Sequence, residues 1–250
     1  MAAKIIPAVD PPEATPMRER LIVALDVSSA QAARELVSTI GAAAGIYKVG
    51  LQLFTAEGPG LVRELINSGL KIFLDLKLHD IPHTVSRAVK SAADLGVTML
   101  TVHSSAGSAV LRAAVEAAGG KLAILAVTVL TSFSDEDLDE TGVSDPVASQ
   151  VLRLAALARG AGCWGIVTSP RETASIRRFM GEGFAIVNPG VRPAGAGKDD
   201  QERTATPAEA IRAGATYIVV GRPITQSTDP AGRAREIILE MEQGQSSGVR

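Results

Sequence analysis

Eight short apolar runs that alternate with longer segments of helical periodicity constrain the fold of this 250-residue chain more than any other feature. Each run is nearly continuous in Val, Ile, Leu and Ala, which is typical of parallel strands buried on both faces. Strands and helices that alternate without a linker predict an α/β fold, a single-domain (β/α)8 TIM barrel with eight parallel strands and an outer helical ring. An open doubly wound sheet is the structural alternative. The predicted strands are residues 21–26, 46–50, 71–77, 98–103, 122–128, 165–168, 184–188 and 217–220.

Both ends of the chain lack such patterns. Residues 1–20 hold four prolines and show neither helical nor strand periodicity, so they are predicted to form a flexible N-terminal arm. Residues 21–243 are predicted to form the barrel, the catalytic domain. Residues 244–250 are predicted to be a disordered tail.

The composition argues against several classes of partner. The formal net charge of -2 gives no support for a nucleic-acid or membrane-surface partner, because both favour a basic face. No run approaches the roughly 18 apolar residues of a membrane span. Cys163 is the single cysteine, so no intrachain disulfide can form. It is predicted to lie in the core. With no secretory signal visible, we expect a cytoplasmic protein.

The third run carries the sharpest chemical signal. Alternate residues of a strand share a face, so Asp75 and Lys77 are predicted to point into the barrel and the leucines beside them toward the helices. Buried charges are costly unless paired. Lys48 and Asp80 would complete an alternating network of two positive and two negative charges at the C-terminal end, where such barrels carry active sites. A purely structural ion-pair network is the alternative.

The segments after the seventh and eighth runs predict a phosphate site. In these barrels the loops after strands 7 and 8 frequently bind phosphate. Gly190 and Gly221 let backbone N–H groups approach an anion. Arg192 or Arg222 can donate two hydrogen bonds to one phosphate.

Together these segments resemble the orotidine 5′-monophosphate decarboxylase family. The strongest match is residues 73–84, an Asp-x-Lys-x-x-Asp core followed by Ile-Pro. Related sugar-phosphate decarboxylases and epimerases share that spacing, so the combination of segments carries the resemblance. It extends from about residue 21 to about residue 230. The other matching segments are residues 25–26, 47–50, 127–132, 189–193, 200–201 and 220–223.

The resemblance implies decarboxylation of orotidine 5′-monophosphate (OMP) to UMP and CO2, the last step of de novo UMP synthesis. It implies no metal and no cofactor, because the protein would stabilise a carbanion at C6 by electrostatics. Lys77 would donate the proton to C6, and Asp75 would lie near the substrate carboxylate. Lys48 would hold Asp75 and contact the ribose.

The resemblance also implies a homodimer and a set of binding residues. Asp80, Ile81 and Thr84 would reach the active site of the neighbouring subunit. The residues implied to contact OMP or UMP within the subunit are Asp26 at a ribose hydroxyl, Thr131 or Ser132 near the pyrimidine, and Gln201, Gly221 and Arg222 at the phosphate, with Pro189 and Arg192 alongside.

Two other functions fit the same residues. The first is a Mg2+-dependent sugar-phosphate decarboxylase or epimerase on the same scaffold. The second is a non-catalytic barrel that binds a phosphate ligand and has a structural charge network. The three histidines are interpreted as hydrogen-bonded structural residues rather than metal ligands, because His79 and His103 belong to different strands without an acidic cluster between them.

Overall fold

The computed structural model describes residues 15–193 and 204–246. Eight parallel strands close into a barrel in sequence order, and β1 pairs with β8 through Ile22 and Val219. This closure confirms the (β/α)8 barrel and excludes the open sheet. Every predicted strand is present, with ends that differ by at most two residues. The strands are β1 Leu21–Ala24, β2 Ile46–Gly50, β3 Lys71–Leu78, β4 Met99–His103, β5 Ala123–Val127, β6 Gly165–Val167, β7 Ala185–Asn188 and β8 Tyr217–Val220.

Helices follow the strands and cover the outside of the barrel. Ser29 begins one of them, and its hydroxyl accepts a hydrogen bond from the Ala32 N–H at 3.3 Å, the usual role of an N-cap serine. The helices are α1 Met17–Arg20, α2 Ala30–Ile40, α3 Leu51–Asn67, α4 Pro82–Leu95, α5 Ser108–Ala118, α6 Asp135–Glu140, α7 Val147–Gly160, α8 Thr173–Met180, α9 Pro207–Arg212, α10 Arg222–Thr225 and α11 Pro230–Ser246.

The strands bury side chains on both faces, and successive side chains alternate between two cores. In β1, Ile22 and Ala24 point into the barrel, whereas Leu21 and Val23 pack in the layer beneath the helices. The inner core also contains bulky residues such as Phe73. The barrel is therefore filled below its C-terminal end, and side chains at the last inward positions open toward solvent.

The flexible arm predicted for residues 1–20 extends too far toward the barrel, because its last four residues form a helix. Met17–Arg20 forms a short helix, and Arg20 is buried. Its guanidinium donates to the backbone oxygens of Thr216 and Ala215, each at 2.9 Å. This helix could not be predicted from the sequence, because a single turn has too few residues to show periodicity and it follows a proline-rich segment. Residues 1–14 lie outside the described part of the chain.

The predicted tail begins three residues too early. Helix α11 continues to Ser246, and Gly244 is buried within it. A β-carbon at position 244 would collide with the backbone of Ala208, so the close approach of α11 to α9 requires glycine. The first residue of the predicted tail therefore forms a packing contact. Residues 247–250 lie outside the described part of the chain.

The remaining global predictions concern the cysteine and the membrane. Cys163 is buried as predicted, and burial raises the pKa of its thiol to about 12. Over residues 15–193 and 204–246, no helix is both long and apolar enough to cross a membrane.

Candidate active site

A cavity of about 490 Å³ opens at the C-terminal ends of the strands. Its wall combines the charged residues of the first three strands with the loops after strands 5, 7 and 8. The two predicted sites, one charged and one for phosphate, therefore face one space. The predicted residues that line it are Asp26, Lys48, Asp75, Lys77, Thr131, Pro189, Arg192, Gly221 and Arg222.

Charge enters this cavity because the inward-facing row of side chains becomes polar at its upper end. In β2 the inward residues are Ile46 and then Lys48, and in β3 they are Phe73 and then Asp75. The apolar members pack in the barrel core. The charged members lie one step higher, where Lys48 and Asp75 are 8% and 9% exposed.

Four charged side chains form an alternating row. Lys48 Nζ lies 2.8 Å from Asp26 Oδ1 and 3.7 Å from Asp75 Oδ2. Lys77 Nζ lies 2.8 Å from the same Asp75 oxygen. The order Asp26, Lys48, Asp75, Lys77 gives every buried charge an opposite neighbour, which offsets the cost of its desolvation.

Asp75 is the centre of this network. Burial by itself would raise the pKa of Asp75, but the charges of Lys48 and Lys77 and hydrogen bonds from Lys77 and Thr101 outweigh burial and lower that pKa. The carboxylate therefore stays ionised at neutral pH.

Lys77 occupies an unusual backbone conformation. Among the described residues it is the one non-glycine residue with a positive φ, 49°. A left-handed conformation costs a side-chain-bearing residue about 1–3 kcal/mol. The left-handed conformation of Lys77 coincides with a register shift in the β3–β4 pairing between Leu74 and Leu78. Such bulges re-aim side chains beside active sites.

Within a single chain, Asp80 lies outside the predicted charge network. Asp80 is exposed, and its carboxylate accepts a hydrogen bond from the Ile81 N–H at 2.6 Å rather than joining the row. Asp26 takes its place, because the pairing of Ala24 with Lys48 sets the end of β1 beside the lysine. Ile81 is 64% exposed, and Thr84 is exposed as well, so none of the three faces the cavity of its own chain.

The phosphate-side residues meet across the loops after β7 and β8. Gly190 has a φ of 73°, a conformation that favours glycine, and both it and Pro189 line the cavity. Arg192 is 9% exposed, and its N–H donates to the Ala205 oxygen at 2.9 Å, which ties the two ends of the loop together. Gly221 and Arg222 line the cavity from the neighbouring strand.

Two further predicted residues are not placed in the cavity. Gln201 lies outside the described residues. Ser132 does not line the cavity, whereas Thr131 does.

The histidines are close but form no recognisable metal site. The rings of His79 and His103 have centroids 5.6 Å apart. Burial, together with the charges of His79 and Lys77, lowers the pKa of His103, which favours its neutral form. Within the described ranges, no group of three or more His, Cys, Asp or Glu side chains is arranged to hold a metal ion.

Sequence reasoning missed two residues at the site. Thr101, fully buried in β4, hydrogen-bonds to Asp75. Gln226 lines the cavity just after α10. The inward position of Thr101, two residues after Met99, was the available signal, but a threonine in a strand is ordinary.

Comparison with known proteins agrees with this geometry. A model of the Orotidine 5'-phosphate decarboxylase / HUMPS family matches residues 19–237. An orotidine 5'-phosphate decarboxylase of Anaeromyxobacter sp. (strain K) is 52% identical over 219 residues, which cover 88% of this chain and 96% of the relative. Another, from Syntrophotalea carbinolica, is 50% identical over 232 residues, with coverage of 90% and 95%.

Solved structures show the same likeness. The crystal structure of orotidine 5'-phosphate decarboxylase from Lactobacillus acidophilus superimposes with a TM-score of 0.81 at 38% identity, and covers 89% of this chain and 99% of its own. The corresponding enzyme structure from Pyrococcus horikoshii OT3 gives a TM-score of 0.72 at 26% identity, with coverage of 89% and 99%.

Proposed function

This chain belongs to the orotidine 5'-phosphate decarboxylase / HUMPS family, and we propose that it decarboxylates OMP to UMP and CO2 in pyrimidine biosynthesis. The observation that carries the proposal is the alternating row of Asp26, Lys48, Asp75 and Lys77, which faces one cavity with Arg222. The cavity thus offers a cationic proton donor at one side and a phosphate-binding arginine at the other. OMP presents a carboxylated ring and a phosphate at its two ends.

The reaction requires stabilisation of charge that the substrate cannot delocalise. Loss of CO2 leaves an electron pair at C6 in the plane of the pyrimidine ring, outside its π system. Preorganised charge beside the reacting carbon lowers such a barrier without reorganisation during the reaction. Lys77 is the cation placed for this, held 2.8 Å from Asp75. It stabilises the developing carbanion and then gives C6 its proton.

Asp75 acts on the same step through repulsion. It is ionised, and the substrate carboxylate beside it carries a like charge. Two unit charges 4 Å apart interact by about 4 kcal/mol at an effective dielectric constant of 20. That repulsion disappears as neutral CO2 leaves, while the attraction between Lys77 and the carbanion grows. Lys48 holds Asp75 in place and contacts the ribose, and Asp26 accepts from a ribose hydroxyl.

The phosphate end supplies binding free energy remote from the chemistry. The phosphate is held by Gly221, Arg222, Arg192 and Gln201, with Pro189 alongside. Interactions with a non-reacting group orient the substrate and so lower the barrier at C6. Thr131 contacts the pyrimidine ring from the loop after β5. The reaction uses no metal and no cofactor.

The assembly we propose is a homodimer with shared active sites. Ile81 exposes 64% of its surface at the start of α4, beside the exposed Asp80 and Thr84. In a two-fold dimer these residues enter the partner's cavity and complete its charge row with a further carboxylate. We place the single catalytic domain in the cytoplasm, because a chain with one buried cysteine depends on no intrachain disulfide.

The test of the reaction is a metal-free assay. The protein, treated with EDTA and dialysed, is mixed with OMP, and the ultraviolet change on UMP formation is followed. Turnover that EDTA leaves unchanged supports the proposal. A well-folded protein that leaves OMP intact but decarboxylates a pentulose or hexulose phosphate with Mg2+ would replace it with the sugar-phosphate reaction.

The test of the shared site is complementation. Lys77→Ala and Asp80→Asn chains are each expected to be inactive. After the two are unfolded together and refolded, random pairing in a two-fold dimer restores one intact site per mixed dimer, about a quarter of wild-type activity. Mixtures with no more activity than the separate variants would show that Asp80 does not act across the interface.

A further inference from the structure

A single hydroxyl contacts both catalytic residues of β3. The Thr101 hydroxyl lies 3.0 Å from Asp75 Oδ1 and donates to it. The same oxygen accepts a hydrogen bond from the backbone N–H of Lys77 at 2.8 Å. Thr101 is fully buried in β4, so no water competes for these two bonds.

The position of Thr101 explains why one residue can serve both. Leu74 pairs with Leu100, and Leu78 pairs with Val102. Three residues of β3, from Asp75 to Lys77, therefore lie opposite the single residue Thr101. The extra residues form the bulge in which Lys77 takes its left-handed backbone conformation. The bulge interrupts the regular ladder here, and the Lys77 N–H donates to the threonine side chain instead.

We propose that Thr101 is a positioning residue of the decarboxylase site, which clamps the bulge so that Asp75 and Lys77 face the reacting carbon together. The inference rests on the proposed function. Thr101 does not line the cavity. Its contribution is to fix the Asp75 carboxylate by one bond and the Lys77 backbone by the other. Without both, the strained bulge relaxes and the Lys77 ammonium moves from its position beside C6.

The test removes the hydroxyl at constant shape. Thr101→Val keeps the volume and branching, and Thr101→Ser keeps the hydroxyl. Thr216→Val is the matched control, because the Thr216 hydroxyl is also buried and accepts a neighbouring strand's N–H, that of Ile186 at 3.0 Å, at the opposite end of the barrel. All variants are assayed for kcat and KM with OMP and for the thermal midpoint.

We expect Thr101→Val to lower kcat about 10- to 100-fold, the usual effect of displacing a reacting group by about 1 Å. KM should stay nearly unchanged, and Thr101→Ser should recover most of kcat. Thr216→Val should lower the thermal midpoint comparably but keep the wild-type kcat. If Thr101→Val does not fold, Thr101→Cys replaces it, because a thiol fills the space but is a weak donor and acceptor.

A second measurement separates the clamp from the reaction. Hydrogen exchange of the Lys77 amide, followed in the unliganded protein, should quicken in Thr101→Val and stay slow in Thr101→Ser and Thr216→Val. A Thr101→Val enzyme with the kcat of Thr216→Val, or with unchanged Lys77 exchange, would overturn the proposal. Wild-type protein that fails to convert OMP would refute the proposed function alone, since the exchange result still decides the clamp.

Discussion

At the N-terminal end of the barrel, Arg20 and Arg177 donate to backbone carbonyl oxygens, whereas at the C-terminal end Lys48 and Lys77 face carboxylates. Arg177 contacts the oxygen of Gly214 at 2.7 Å and holds the chain before β8. Backbone carbonyls just before β8 offset the desolvation of the arginines in one fixed arrangement. Carboxylates on side chains leave a row of charge that faces a cavity and responds to a substrate.

This difference teaches what makes buried charge functional. Both ends pay the desolvation penalty, and both offset it with good hydrogen-bond geometry. At the N-terminal end most partners are backbone groups, and none of them lines the main cavity, so the result is stability. At the C-terminal end the partners are charged side chains around an opening, so the result is a candidate site. In TIM barrels generally, the C-terminal end of the strands carries the active site and the N-terminal end contributes to stability, and the two ends of this barrel agree with that rule.

The largest effect on activity is expected from Arg222→Ala, which tests whether the C-terminal end of the barrel is the functional one. The arginine lines the cavity on the phosphate side, so its loss should lower kcat/KM for OMP about 100-fold or more. Arg212→Ala, which removes an exposed arginine from α9, should leave kcat/KM unchanged. Equal kcat/KM values for the two variants would show that the phosphate is held elsewhere.

A smaller effect is expected from one methyl group at Gly50. A β-carbon there would lie 2.9 Å from Lys48 Nζ and 3.1 Å from Asp26 Oδ1. The lysine is flexible and will move, so Gly50→Ala should lower kcat about 10- to 100-fold with little change in the thermal midpoint.

The matched substitution for Gly50 is Gly165→Ala in β6. A β-carbon there would collide with the backbone oxygen of Ala185, which cannot move without disturbing β7. That variant should therefore lose stability rather than displace the charge row. A Gly50→Ala enzyme with normal kcat would mean that the position of Lys48 is not critical.

The smallest effect on activity, and a large one on stability, is expected from Arg177→Met. The arginine donates to three backbone oxygens, those of Gly181, Phe184 and Gly214. Loss of these bonds should lower the free energy of unfolding by about 3 kcal/mol, measured by urea denaturation, with kcat unchanged. Arg178→Met, the exposed neighbour, should change neither. A reduced kcat in folded Arg177→Met would break the division between the two ends.

The sequence predicted those site residues that are charged but stand within apolar runs. Lys48, Asp75 and Lys77 interrupt apolar strands, and an inward charge in a barrel has few interpretations. The strands themselves were predictable because burial on both faces produces continuous apolar runs. Helix α1 was not, because a single turn leaves no periodic signal.

The parts of the site that the sequence did not predict have one structural origin. Asp80 points away from the charge row of its own chain, because the chain bulges at Lys77 and then turns away. The bulge depends on the pairing with β4, which no local pattern encodes. Thr101 was missed for the same reason, since its role exists only opposite that bulge.

The central claim, that Lys77 performs the chemistry without a metal, is tested most directly by comparing wild type with Lys77→Ala on OMP in EDTA. Electrostatic stabilisation and proton donation are each worth about 10²-fold or more, so the account predicts unimpaired wild-type turnover and a loss of about 10⁴-fold or more in a folded variant. Lys77→Ala turnover close to that of wild type, or wild-type activity abolished by EDTA and restored by Mg2+, would contradict it.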